Sequence, residues 1–224
     1  KGLEASLARI EADLGAAGVE PGIGGAWRQP FEVTTSVARG AKTALSIDGK
    51  VIAAEDFTPI AASGSGSVDA QIVNVGYGVK DEAAKIDDYK GKAVKGKIAL
   101  AFRFMPTDAK DPRSKLDAST QARLGDLRNK AFVAKNAGAK ALIIVDAGDP
   151  SQEEAKLPAL SAAESESLIP IIVITRKAGE ALLKGTHKAA LTVALEPVRT
   201  KTSNVIGVIR AGAAQVRRPR QRAR

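Results

Sequence analysis

Apolar residues at Leu3, Leu7, Ile10 and Leu14 recur at helical spacing and predict a helix at the start of the chain. The glycines at Gly15 and Gly18 and the run Pro21-Gly22-Ile23-Gly24-Gly25 end it, since a helix crosses glycine and proline only at a cost. The pattern then turns strand-like. Phe31 to Val37 is rich in β-formers, and Ala44–Ile47 meets Val51–Ala53 across Asp48-Gly49, a two-residue hairpin signal widened by Lys50. Ser63 to Ser67 alternates serine and glycine and predicts a flexible joint. Asp69 to Val75 predicts a strand running into Gly76-Tyr77-Gly78, and Lys97 to Phe102 a buried strand followed by a polar loop from Pro106 to about Ser119. The clearest helix spans 120–137, with Leu124, Leu127, Ala131, Ala134 and Ala137 on one face and Gly138 as its stop. Apolar strands at 141–145 and 169–174, a short helix at 177–184 and a last strand at 189–195 complete the series. The fold class predicted is α+β, a β-sandwich or open barrel with flanking helices.

Length and composition narrow this further. A chain of 224 residues, 44% hydrophobic and 26% charged, has room for one good core, or for one domain with pieces of a second. No uninterrupted apolar stretch reaches about 18 residues, so no membrane-spanning helix is expected. Cysteine is absent, which excludes disulfides, thiolate metal sites and a cysteine nucleophile. The chain opens on Lys1 inside a helical pattern, which leads to the expectation of a fragment cut within a helix, any signal peptide lying upstream.

The formal charge is 34 − 25 = +9. Arg217, Arg218, Arg220, Arg222 and Arg224 supply five of those charges, so the body is only mildly basic. The arginine tail reads as a phosphate-contacting arm, a solvated end or foreign sequence; without aromatic residues it offers bases no stacking platform, and nucleic acid is not the favoured partner.

Candidate chemistry is sparse. A zinc or two-metal hydrolase needs several converging His and carboxylate ligands, and the one histidine, His187, sits in a predicted helix-to-strand turn where simple exposure is expected. Gly91 to Lys97 satisfies Gly-x-x-x-x-Gly-Lys, yet Ile98 stands where Mg²⁺ needs Ser or Thr, and a strand follows where a phosphate cradle needs a helix. Asp87-Asp88 reads as a polar turn rather than a calcium loop.

The order of segments says more than any one motif. Val75-Gly76-Tyr77-Gly78-Val79, Ile86-Asp87-Asp88-Tyr89-Lys90-Gly91 and Val94-Lys95-Gly96-Lys97-Ile98-Ala99-Leu100 together resemble the protease-associated (PA) domain of zinc aminopeptidases related to the bacterial secreted enzymes and glutamate carboxypeptidase. The resemblance continues through Phe102 to Pro106, Asp111 to Ser114, Ala137 to Val145 and Ile169 to Ile172. Ser203-Asn204-Val205-Ile206-Gly207-Val208-Ile209 is similar to the strand that enters the catalytic domain in that family, and Trp27 to Phe31 to the segment preceding the PA insertion.

The resemblance implies residues 1–30 as a piece of a truncated peptidase domain, 31–200 as the PA-like domain, 201–210 as the first peptidase strand and 211–224 as a disordered or non-native basic tail. The family's metal ligands lie downstream of the Asn-Val-Ile-Gly strand, where Ala211-Gly212-Ala213-Ala214 stands instead, so no catalytic or metal-binding residue carries over. Zinc is expected in the full-length parent and no cofactor in this chain; the implied partners are the missing peptidase domain and the parent's peptide or protein substrate. The resemblance also implies a bacterial source and a secreted or periplasmic location. The loop from Arg103 to Ser119, with Arg103, Pro106, Asp111 and Arg113, is the predicted substrate-cleft or interface element. The alternatives are a free-standing protein-interaction module and a weak nucleic-acid binder acting through the tail.

Overall fold

A computed structural model describes residues 2–147, 151–160 and 169–210. The chain divides into two compact units, Thr34–Val198 and Lys1–Val33 with Arg199–Arg224. The basic tail, 211–224, lies outside the described residues.

In the smaller unit, α1 (Gly2–Ala16) buries Leu7 while Leu3 and Ile10 stay about half exposed. Arg28 reaches back to Glu4 and Glu11 on α1. The short strand β1 (Glu20–Pro21) pairs with a partner near the other end of the described chain, Gly207–Val208. The strand β2 (Arg28–Arg39) forms a two-stranded ribbon with Leu195–Val205, and the boundary between the units falls within both strands.

The larger unit is built on eight strands. In chain order they are β3 (Ala44–Ile47), β4 (Lys50–Val51), β5 (Phe57–Pro59), β6 (Gly66–Asn74), β9 (Ile98–Phe102), β10 (Ala141–Val145), β11 (Ile171–Ile174) and β12 (Lys188–Val193); β7 (Lys80–Asp81) and β8 (Ile86–Asp87) form a separate small hairpin. The ribbon partner Leu195–Val205 is β13 and Gly207–Val208 is β14. The sheet order is β4-β3-β12-β6-β9-β10-β11-β5. Strands β6, β9, β10 and β11 run parallel, with antiparallel strands on both sides.

Every residue of β10 and β11 is buried, which is why these strands are unbroken apolar runs: a parallel core strand has both faces covered. Alternation along β9 separates two layers. Ile98 and Leu100 join one cluster with Ile143, Leu191, Leu45 and Phe57. Because Leu45 and Phe57 come from strands near opposite ends of the sheet order, their sharing of one core requires the sheet to curl into a half-barrel. The other face presents Ala99 and Ala101 to Ala131 and Ala134 of a covering helix, small residues on both sides of the contact. Gly179 is likewise enclosed by Val145 and Ile174, leaving no room for a Cβ.

The predicted helix at 120–137 is two helices, α2 (Ala118–Gly125) and α3 (Leu127–Asn136). Asp126 takes an extended conformation between them, and its carboxylate accepts from the N–H groups of Arg128 and Asn129, so it caps α3 and interrupts the run. The serine-glycine segment is no flexible joint. Ser63 is buried and its Oγ accepts from Ile171 N, Gly64 N donates to Ile169 O, and Ser67 pairs with Thr192 across β6 and β12. The Asp48-Gly49 turn is a strict two-residue hairpin with both residues at positive φ, and Lys50 belongs to the strand, opposite Ile47. The segment after Lys97 is the strand β9, as the sequence reading expects. The helix α4 (Arg176–Gly179) continues as a 3-10 turn to Leu183.

Candidate functional site

Strands β9 and β10 end side by side at Phe102 and Val145, and the loops leaving them meet the turn that follows β6. That turn is Gly76-Tyr77-Gly78. Gly78 has a φ of 65°, and a Cβ there would stand 2.8 Å from the Ala101 side chain, so only glycine fits. Tyr77, held edge-on to Phe102 at 5.1 Å, is the centre around which several charged groups gather.

The first of these is Lys130 on α3, which is 0% exposed. Its ammonium donates to the carbonyls of Tyr77 (2.7 Å), Phe102 (2.8 Å) and Phe104 (3.2 Å), joining helix, strand end and loop. Burial pulls its pKa down to about 7, against the opposing charge of Asp88. Arg113 lies 4.5 Å above the Tyr77 ring and donates to Asp88 (2.7 Å) and through two nitrogens to Asp111 (2.8 and 2.6 Å). Asp88 also accepts from Val79 N. Burial raises the Asp88 carboxyl even beside Arg113, whereas the Arg113 hydrogen bonds hold Asp111 below its ordinary value.

The four residues singled out from sequence therefore fall in different places. Asp111 and Arg113 are brought together. Arg103 donates instead to the carbonyls of Ala155 (3.0 Å) and Lys156 (2.7 Å), with its guanidinium 5.1 Å from the Phe104 ring. Pro106 is buried. Beside them lies a cavity of 380 Å³ lined by Tyr77, Phe104, Met105, Asp146 and Gln152. Arg103, Asp111 and Arg113 are thus engaged within the chain, where they tie the loop after β9 to Asp88, just past the β7–β8 hairpin, and to the 155–156 segment.

Lys130 is the residue that sequence reasoning missed, and Asp88, read there as part of a polar turn, is drawn into the network by Arg113. Lys130 follows Leu127 by three positions and precedes Ala134 by four, so it sits within the buried stripe, a placement the helical period itself contains. Asp88 follows the polar β8 end and turns inward.

The histidine is not simply exposed. Nδ1 of His187 lies 2.7 Å from Asp48 and Nε2 2.7 Å from the Lys184 carbonyl. Both partners are acceptors, so the arrangement favours the imidazolium form, in which both ring nitrogens donate. The Asp48 carboxylate foremost, then the Lys184 carbonyl, raises its pKa. Among the described residues, no three His, Asp or Glu side chains gather in a metal-binding group, and no helix is long and apolar enough to cross a membrane.

A curled, partly parallel eight-stranded half-barrel, with α3 packed on one layer and α4 on the other, has the architecture of a PA-type fold. Comparison of the sequence with protein families matches the PA domain over residues 68–182, and the chain belongs to the PA-domain family. No curated protein matches the sequence. Among solved structures, the chain is similar to an aminopeptidase from Aneurinibacillus sp. strain AM-1, with 23% identity over 95% of this chain and 44% of that one, at a TM-score of 0.53. It is also similar to a zinc aminopeptidase from Bacillus subtilis (23% identity, 92% and 40% covered, TM-score 0.49) and to a Peptidase M28 precursor from Shewanella amazonensis (19%, 92% and 45%, 0.45). The chain spans less than half the length of each of these proteins.

Proposed function

We propose that this chain is the PA domain, with flanking segments, of a zinc-dependent aminopeptidase, and that it serves the parent as an accessory element at the substrate cleft rather than as the catalyst. The observation that carries the proposal is the extent of the likeness to the Aneurinibacillus aminopeptidase. It covers 95% of the chain, so it runs well beyond the PA match at 68–182 and takes in most of the smaller unit. The segments Trp27–Phe31 and Ser203–Ile209, read from sequence as peptidase pieces, belong to that unit.

On this reading residues 1–30 and 201–210 are parts of the peptidase domain, 31–200 the accessory domain, and the zinc ligands and reacting groups belong to parent sequence outside this chain. The parent is a secreted or periplasmic bacterial enzyme acting on peptides. The loop from Arg103 to Ser119 borders its cleft; the internal bonds of Arg103 and Arg113 hold that loop in one shape, as a surface that guides substrate must be held.

The test is an assay of the purified chain with aminoacyl-nitroanilide substrates and added zinc, alongside its metal content. The expected result is no turnover and no bound zinc. Zinc-dependent turnover overturns the accessory assignment. Alanine substitution of exposed loop residues such as Thr107 or Lys110 in the full parent is expected to change substrate preference; unchanged kinetics removes the loop from the cleft.

A further inference from the structure

At the far ends of β9 and β10 from the Lys130 network, the strap 90–97 runs beside the C-terminal end of α3. Gly96 N donates to Gly138 O and Lys140 N to Lys97 O, which places two lysine-rich stretches against each other. They contribute Lys90, Lys92, Lys95, Lys97, Lys135 and Lys140, and neither stretch contains an acidic residue. All but Lys97 are exposed, and none of the six makes an ion pair among the described residues. A salt-bridged surface mixes signs, so six lysines gathered without acids are an unneutralised field aimed at an anionic partner.

The field borders a groove of 480 Å³ between α3 and the β7–β8 hairpin, a volume suited to a side chain or two of a ligand. Lys80, Lys90 and Lys92 line it; Lys80 is paired with Asp87 at 3.2 Å, and Glu82 is the other acid of the lining. Its floor carries Phe132, 54% exposed although it sits mid-helix, with Val133 and Ala137 beside it. Two lining residues turn polar atoms away from the groove: Asn129 Nδ2 and Tyr89 Oη, the latter facing Gly78, are buried without a hydrogen-bond partner among the described residues.

We infer that this groove is a docking site for an acidic peptide segment carrying an apolar or aromatic anchor. The anchor packs on Phe132 and Val133, and carboxylates on either side of it face Lys90, Lys92 and their neighbours. A peptide is favoured over a nucleic acid because the groove pairs charge with a single exposed aromatic beside aliphatic residues, whereas single strands need a row of stacking rings. The inference rests on residues 80–140 alone and does not depend on kinship to peptidases.

The experiment is fluorescence anisotropy on the whole chain with three probes: a labelled peptide with glutamates flanking a Leu-Phe pair, its lysine-for-glutamate counterpart, and an oligothymidine. Saturable binding of the acidic peptide is expected, weakened about tenfold or more by Phe132→Ala and by Lys90→Glu/Lys92→Glu, with no binding of the lysine peptide. Circular dichroism confirms that the variants fold. Three results overturn the inference: no saturable binding of the acidic peptide, binding indifferent to Phe132→Ala, or oligothymidine bound as tightly as the peptide and equally indifferent to Phe132→Ala, which would mark a general polyanion patch.

Discussion

The two ends of the β9–β10 strand pair carry charge in opposite ways. At the end where Phe102 and Val145 meet, Lys130, Arg113, Asp88 and Asp111 are buried or half-buried, and each is engaged at hydrogen-bond distance. At the other end six lysines stand without an ion pair among the described residues, and Lys90 and Lys92 among them line the groove along α3. The contrast separates charge that builds a domain from charge that is free to bind. Burying an ion is costly and is sustained only by complete pairing, so its loss is felt in stability; exposed charge is worth little to folding and keeps its field for a partner.

Substitutions sharpen this contrast in order of size. Lys130→Met keeps the volume but orphans three carbonyls, and is expected to cost about 3 kcal/mol, read as a lower urea midpoint at unchanged slope. Arg113→Ala frees Asp88 and Asp111 and uncovers the Tyr77 face, for a loss of about 2 kcal/mol by the same measurement. Asp126→Ala removes the cap between α2 and α3 at about 1 kcal/mol, with little effect elsewhere. Lys90→Glu/Lys92→Glu is expected to change stability by less than about 0.5 kcal/mol.

pH divides the buried lysine from the surface histidine. Lys130 titrates near 7 in the folded chain against 10.5 as its ordinary value, so between those values the unfolded chain binds the extra proton and stability rises with pH. The gain is lost as pH falls through about 7. His187 runs the other way. Its folded pKa is raised above 6.5, so its contribution is complete below pH 6.5 and disappears as pH climbs through the folded value. Lys130→Met is expected to flatten the first slope and His187→Gln the second in urea titrations across pH; a slope that survives its substitution belongs to another group.

Legibility in the sequence followed the same physical divide. Strands β9 and β10 are legible because parallel core strands are continuous apolar runs. The α2–α3 break is hidden because Leu124, Leu127 and Ala131 keep one helical period across it, and only the Gly125-Asp126 pair, a helix breaker followed by a cap, betrays the interruption. Ser63 to Ser67 has the composition of a linker, but its hydroxyls and amides are taken up by Ile169, Ile171 and Thr192, residues about a hundred positions away that no local pattern reveals. At the candidate site, Asp111 with Arg113 is suggested by proximity in sequence. The Arg103 contacts with 155 and 156 and the seating of Lys130 under Tyr77 depend on tertiary closure, which local spacing does not encode.

The most direct test of the division between building and binding charge is thermal unfolding of Lys130→Met beside Lys90→Glu/Lys92→Glu. A fall in Tm of roughly 9 °C is expected for the first, three times the shift of about 3 °C per kcal/mol for a chain of this size, and no more than about 2 °C for the second. Equal falls, or a larger fall for the lysine pair, would mean that the exposed lysines hold the fold together and that the division is wrong.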